Sequence, residues 1–186
     1  MTKCTSKAIK FPGCKGKKVE GIFGSQAISS NGGVCLLSSA DRTLDLISRA
    51  ARGFKDSRRR ASCRHTVKNL LKQRVYALAL GYEDLNDHDE LRNDPALQTA
   101  VGRDSELASA STLCRFENRV DKKALLEISR VLIDVFIESY KEEPREIVLD
   151  FDSTDDRVHG NQEGRFFHGY YDHYCFLPLY VFCGEH

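Results

Sequence analysis

At Pro144 the hydrophobic period of this chain changes, and no other feature limits the available folds so strongly. Before it, apolar residues recur every three or four positions. After it, Ile147-Val148-Leu149-Asp150-Phe151-Asp152-Ser153-Thr154 reads as an extended run that ends in carboxylates. Helical segments followed by strands without crossover helices predict an α+β chain: a mostly helical region over residues 1–143 and a strand-rich domain opening at 144–186. A chain of 186 residues suffices for one ordinary domain, or a small one joined to part of another, and can bury a hydrophobic core.

The clearest helix spans 121–143, where Leu125, Ile128, Val131, Leu132, Val135, Phe136 and Tyr140 make one apolar face for packing. Asp121 is its cap and Pro144 its stop. Leu36, Leu37, Leu44, Leu46 and Ile47 predict a helix over 34–52, with Arg49 and Arg52 suited to its negative end. The turn signal Asn31-Gly32-Gly33 can close a hairpin of short strands before it. After Ser62, Val67, Leu70, Leu71, Val75 and Leu78 predict an amphipathic helix. Asn93-Asp94-Pro95 opens one short helix and Ser109 to Thr112 caps another; the connection around Gly102 is longer than a helix-turn-helix uses.

The formal net charge is +1, but residues 1–74 hold 17 Lys+Arg against 4 Asp+Glu, and residues 75–186 hold 11 against 23. Such asymmetry points to a polyanionic partner. Arg58, Arg59 and Arg60 form a basic run, and Arg60, Arg64, Lys68 and Lys72 repeat every four residues. The repeat reads either as a solvated surface or as a stripe along a phosphate backbone, and the missing carboxylates favour the stripe. The acidic residues around His88 could be drawn as a metal site, but they read better as helix caps. Seven cysteines without a Cys-x-x-Cys pair exclude a disulfide framework and a zinc ribbon, and with no signal peptide or membrane-length apolar run the expected location is a reducing cytoplasm.

In a strand, Asp150, Asp152 and Thr154 share one face. Carboxylates two residues apart repel each other, which a cation relieves; a solvent-facing strand end is the alternative. His168, His173, Cys175, Cys183 and His186 match no common zinc spacing. Asp-x-Asp-x-Thr at a strand end occurs in haloacid-dehalogenase-type phosphatases, which need later motifs on further parallel strands, and in metal-dependent phosphoryl transfer on DNA. The basic N-terminal third suits the second class.

Leu149 to Asp156, His159-Gly160, Gln162 to Tyr171 and Leu177-Pro178-Leu179-Tyr180 resemble the start of the catalytic domain of DDE transposases from bacterial insertion sequences. Gln73 to His88 and Ser111 to Asn118 are similar to the same family's N-terminal region. The resemblance implies a helical DNA-binding region followed by the first strands of an incomplete ribonuclease-H-like catalytic domain, acting in cut-and-paste transposition. It assigns Asp152 as the first catalytic carboxylate and a magnesium ligand, with Asp150 as a second ligand or support, in a two-metal site. Arg58, Arg59, Arg60, Arg64, Lys68 and Lys72 are the expected DNA contacts. Partners would be the element's terminal repeats, target DNA, and a second copy or an intact transposase, on the bacterial nucleoid and not at a membrane.

The family's second Asp and its Glu find no counterpart before His186. The expectation is therefore a truncated transposase that binds DNA but is inactive alone, or a non-catalytic fragment that occupies element ends and inhibits the intact enzyme.

Overall fold

The computed structural model describes residues 8–22 and 28–184; Cys4, His186 and the side chain of Arg60 lie outside the described residues. The chain is α+β and divides into two compact units, Met1–Val135 and Phe136–His186.

The first unit opens with an antiparallel hairpin of β1 (Ile9–Cys14) and β2 (Lys17–Gly21). Lys15 and Gly16 both take positive φ, 48° and 75°, giving a tight turn whose twist suits the strands. The hairpin is thus closed here and not at Asn31-Gly32-Gly33, which leads into α1 (Val34–Leu44). Asn31 instead anchors the loop: its Nδ2 donates to Asp94 Oδ2 at 3.2 Å, and its Oδ1 accepts from Tyr82 Oη at 3.1 Å.

The single helix expected over 34–52 is two, α1 and α2 (Leu46–Arg52), broken at Asp45 with φ 51°. A buried carboxylate makes the break. Asp41 Oδ1 accepts from Ile47 N at 2.8 Å, so a side chain of the first helix caps the second. The buried face of α1 is Val34, Cys35, Ser38 and Asp41, while Leu36 and Leu44 face solvent. Small Ser38 lets α1 lie against α5 (Pro95–Val101), donating to Ala100 O at 2.9 Å.

The central helix α3 (Val67–Ala79) is capped by Thr66, whose hydroxyl accepts from Asn69 N at 3.1 Å. Its buried arc differs from the apolar face predicted: Leu70 is buried, but Val75 is 37% and Leu78 46% exposed. In their place Lys72, Gln73, Tyr76 and Ala77 are buried, because α3 contacts α2 and α5 as well as α6 (Ala110–Glu117). Gln73 satisfies the backbone there. Its Oε1 accepts from Ala108 N at 2.9 Å, and its Nε2 donates to Ala108 O at 2.8 Å and lies 3.1 Å from His88 Nδ1. His88, fully buried in α4 (His88–Leu91), is therefore a core residue.

The acidic residues beside it act as caps: Asp84 takes Asn86 N at 2.8 Å, Asp94 takes Leu97 N at 2.8 Å with Pro95 in the first turn, and Asp89 takes Ala110 N at 3.1 Å. One apolar cluster gathers Val34, Ile47, Tyr76, Leu97 and Leu107, and a second gathers Leu70, Leu113 and Phe116. Asp121 caps α7 (Lys122–Glu138), its Oδ1 accepting from Ala124 N at 2.8 Å. Of the face expected to pack, Ile128, Val131, Val135, Phe136 and Tyr140 are half-buried while Leu125 and Leu132 are exposed, and Ala124 is the one buried residue of α7 among those described.

In the second unit β3 (Asp150–Ser153) pairs antiparallel with β7 (Leu179–Phe182), and β4 (Asp156–Arg157), β6 (His173–Phe176) and β5 (Phe166–His168) form a sheet in the order β4-β6-β5. Thr154 N donates to Pro178 O at 3.1 Å between the two sheets, with Pro178 at the irregular point its missing N–H suits. A turn at residues 169–172, where Asp172 takes φ 54°, joins β5 to β6. Among the described residues of this unit only Cys175 is buried.

Burial holds the His65 and His88 imidazoles down to about 4, with neighbouring arginines adding to the effect. Both are neutral when folded, while the unfolded chain protonates them near pH 6.5, so protons favour the unfolded state between these values. Stability should be fully present above about pH 6.5 and fall by about 1–3 kcal/mol per histidine as pH drops toward 4. Urea unfolding across this range checks it; a flat profile would contradict the buried, neutral placement.

Candidate functional site

Strand register decides what surrounds the two carboxylates. Asp150 lies opposite Phe182 and Asp152 opposite Tyr180, and paired residues in an antiparallel sheet share a face. Asp150 and Asp152 therefore stand on one exposed face beside the stacked rings of Tyr180 and Phe182, whose centroids are 6.3 Å apart. The reverse face carries Phe151 opposite Val181 and Ser153 opposite Leu179.

The next carboxylate in sequence has a different task. Both oxygens of Asp155 lie within 3.0 Å of His173 Nε2, tying the turn after β3 to β6, a pairing not evident from residues 18 positions apart. Burial, then Asp155, pushes the Cys175 thiol up, so it is held as the protonated, unreactive form. Among the described residues no three His, Cys, Asp or Glu side chains converge to hold a metal ion. Arg157 and His159 are exposed, and Arg165 lies 4.6 Å over the Tyr174 ring.

In the first unit the predicted basic stripe does not form as a continuous row. Arg60 and Arg64 precede α3, and only Lys68 and Lys72 lie on it. Lys68 is exposed, but Lys72 is buried, its Nζ 3.4 Å from Asp41 Oδ2 and 5.9 Å from the centroid of the Tyr76 ring. Burial lowers the Lys72 pKa and Asp41 opposes that shift. Lys72 is thus taken up by Asp41 on α1 and withdrawn from the exposed surface that the expected DNA contact needs. Arg58 is also engaged: its Nε and Nη2 donate to Asp56 at 2.7 and 2.8 Å, which holds its pKa up. Arg59 and Arg64 remain exposed.

The structure adds cations that sequence spacing did not single out. Asp104 draws in the hairpin, with Lys15 Nζ at 2.5 Å and Lys17 Nζ at 3.8 Å. Glu106 holds Arg92 Nη2 at 2.8 Å and Arg64 Nη1 at 3.7 Å, while Arg103 donates to Arg64 O at 3.1 Å. The loop 102–106 thereby collects basic groups from three stretches of chain. Its acids were read as part of the negative remainder, and only the fold returns them to the basic region. By unit, Met1–Val135 carries 24 Lys+Arg against 16 Asp+Glu, and Phe136–His186 carries 4 against 11. The sign asymmetry survives partial neutralisation.

Residues 11–186 match a family model described as transposase DDE domain group 1. The chain belongs to this family. No curated protein and no solved structure matched the chain. A DDE transposase acts on DNA, generally with a divalent metal. The carboxylate oxygens of Asp150 and Asp152 are the hard donors such an ion prefers, but two exposed side chains on one strand fall short of a donor set. They fit as part of a centre and not as a whole one. Among the described residues no helix of this transposase-family chain is long and apolar enough to cross a membrane.

The different placements of Lys68 and Lys72 give opposite expectations. Lys72→Met leaves Asp41 buried without its cation and should cost about 3–5 kcal/mol of unfolding free energy. Lys68→Met should change it by less than about 0.5 kcal/mol. Equal losses in chemical unfolding would contradict the burial of Lys72.

Proposed function

We propose that this chain is the DNA-binding region and the opening of the ribonuclease-H-like catalytic domain of a DDE insertion-sequence transposase. The match of residues 11–186 to the family carries this reading. The excess of basic residues over Met1–Val135, with Arg59, Arg64 and Lys68 exposed, supports DNA binding by that unit. Residues 1–143 make up the DNA-binding region in this proposal, and residues 144–186 begin the catalytic domain.

Asp152 serves as the first catalytic carboxylate and Asp150 as its companion, together offering oxygen ligands to magnesium. The aromatic rings of Tyr180 and Phe182 beside them favour approach of a base or sugar over that of bulk water. The remaining acidic ligands must come from outside this pair, so the chain as it stands binds DNA without completing strand transfer. The same partial donor set favours a second reading, a non-catalytic protein that occupies element ends and competes with an intact transposase. Cytoplasmic residence on the nucleoid follows from either reading.

Fluorescence anisotropy with duplexes carrying the element's ends tests the DNA-binding part. Log affinity should fall linearly with log salt, by about 0.9 for each phosphate neutralised. Affinity that stays constant from low to moderate salt would contradict it. A strand-transfer assay with supercoiled target and magnesium tests the rest: no product is expected from the chain alone, and robust product would show that its own residues complete the centre.

A further inference from the structure

Two arginines far apart in sequence share one carboxylate in the first unit, and a third lies beside them. Glu106 Oε2 lies 2.8 Å from Arg92 Nη2 and 3.7 Å from Arg64 Nη1, the second distance being an ion pair without a hydrogen bond. Arg103 joins them through the backbone, its Nη1 donating to Arg64 O at 3.1 Å and its Nη2 to Ser105 Oγ at 3.1 Å. A guanidinium carries five N–H donors. Those of Arg92 Nε and Arg103 Nε are shielded from solvent and have no hydrogen-bond partner among the described residues.

The scaffold beneath these side chains is pinned. Arg92 O accepts from Leu107 N at 3.0 Å and from Gln98 Nε2 at 2.9 Å, and Arg103 N donates to Gln98 O at 2.8 Å. The cations are therefore gathered by the fold. His65, next to Arg64 in sequence, is buried, its pKa brought down to about 4 by burial first, then by Arg103, Arg64, Arg92 and Arg58. The imidazole stays neutral and adds no charge at neutral pH.

The cluster opens to solvent, with the side chains of Arg64 58%, Glu106 47% and Arg92 27% exposed. Lys15 and Lys17 reach Asp104 on the same loop and extend the basic surface. Like charges gathered beside one carboxylate repel each other, and an incoming anion with several oxygens relieves this. Planar guanidinium groups suit a phosphodiester, which accepts two parallel hydrogen bonds.

We propose that Arg64 and Arg92, sharing Glu106, together with Arg103 beside Arg64, form a pocket that grips a backbone phosphate of DNA. The pocket rests on the DNA-binding reading above and deepens it, since it moves the contact from the α3 row to the loop 102–106. Glu106 acts as an internal stand-in for the phosphate and is displaced from Arg64 and Arg92 when DNA binds.

This role for Glu106 gives the test a sign that a purely structural ion pair would not produce. Anisotropy with a labelled duplex is measured over a salt series for the full chain and for Glu106→Gln, Arg64→Gln and Arg92→Gln, with circular dichroism confirming folding. Removing the competing carboxylate should tighten binding about threefold to tenfold. Each arginine variant should weaken binding about tenfold and reduce the salt slope by about one. Folded Glu106→Gln with unchanged or weaker affinity would overturn the proposal, as would wild-type affinity in both arginine variants. If the unaltered chain shows no salt-dependent binding, the DNA-binding reading itself fails. If the unaltered chain binds and these variants match it, only the pocket fails.

Discussion

Asp41 is buried where three helices meet, and the first unit depends on how that single carboxylate is satisfied. It accepts from the Ile47 amide at 2.8 Å and from the Tyr76 hydroxyl at 3.1 Å, and faces the Lys72 ammonium at 3.4 Å. The amide contact lets α1 end and α2 begin with only Asp45 in between. The hydroxyl and ammonium contacts fix α3 against both. A buried charge without such partners would shift its protonation or unfold the site, so the three contacts stand or fall together. They also explain why a basic helix presents less positive charge to solvent than its sequence implies.

The same principle recurs across the unit. Asp56, Asp104, Glu106 and Glu117 each take a basic partner, and the last two of these receive arginines more than a helix turn away: Arg92 and Arg64 at Glu106, Arg74 at Glu117. Carboxylates that sequence assigns to an acidic remainder fold back among the cations of the first 74 residues. What remains is a moderate positive excess, part of it where Arg64 and Arg92 share Glu106. Placement, more than total charge, then determines which cations are open to a polyanion.

Much of the architecture was legible in local chemistry. Asp94 with Pro95, and Asp121, announce helix starts because capping needs only a side chain and the next three amides. Alternation alone puts Asp150 and Asp152 on one face, since a strand offers no other geometry. The failures share a cause. The break at Asp45, the burial of Lys72 and the Gln73 contact to Ala108 are all set by side chains reaching other elements, which periodicity does not register. Gln73 and Lys72 look like solvent positions on α3 until Ala108 and Asp41 supply partners. Asp155 likewise reads as one more acidic turn residue until β6 brings His173 to it.

In the proposed mode of binding the first unit meets DNA through cations that loop 102–106 organises, while the carboxylate face of β3 awaits further ligands. Hydrogen–deuterium exchange of the full chain, with and without an element-end duplex, locates the contact without substitution. Protection is expected at residues 15–17, 58–68 and 102–106, with residues 150–153 and 179–182 little changed in the absence of magnesium. Protection confined to the β3–β7 face, with loop 102–106 exchanging as in the free protein, would contradict it.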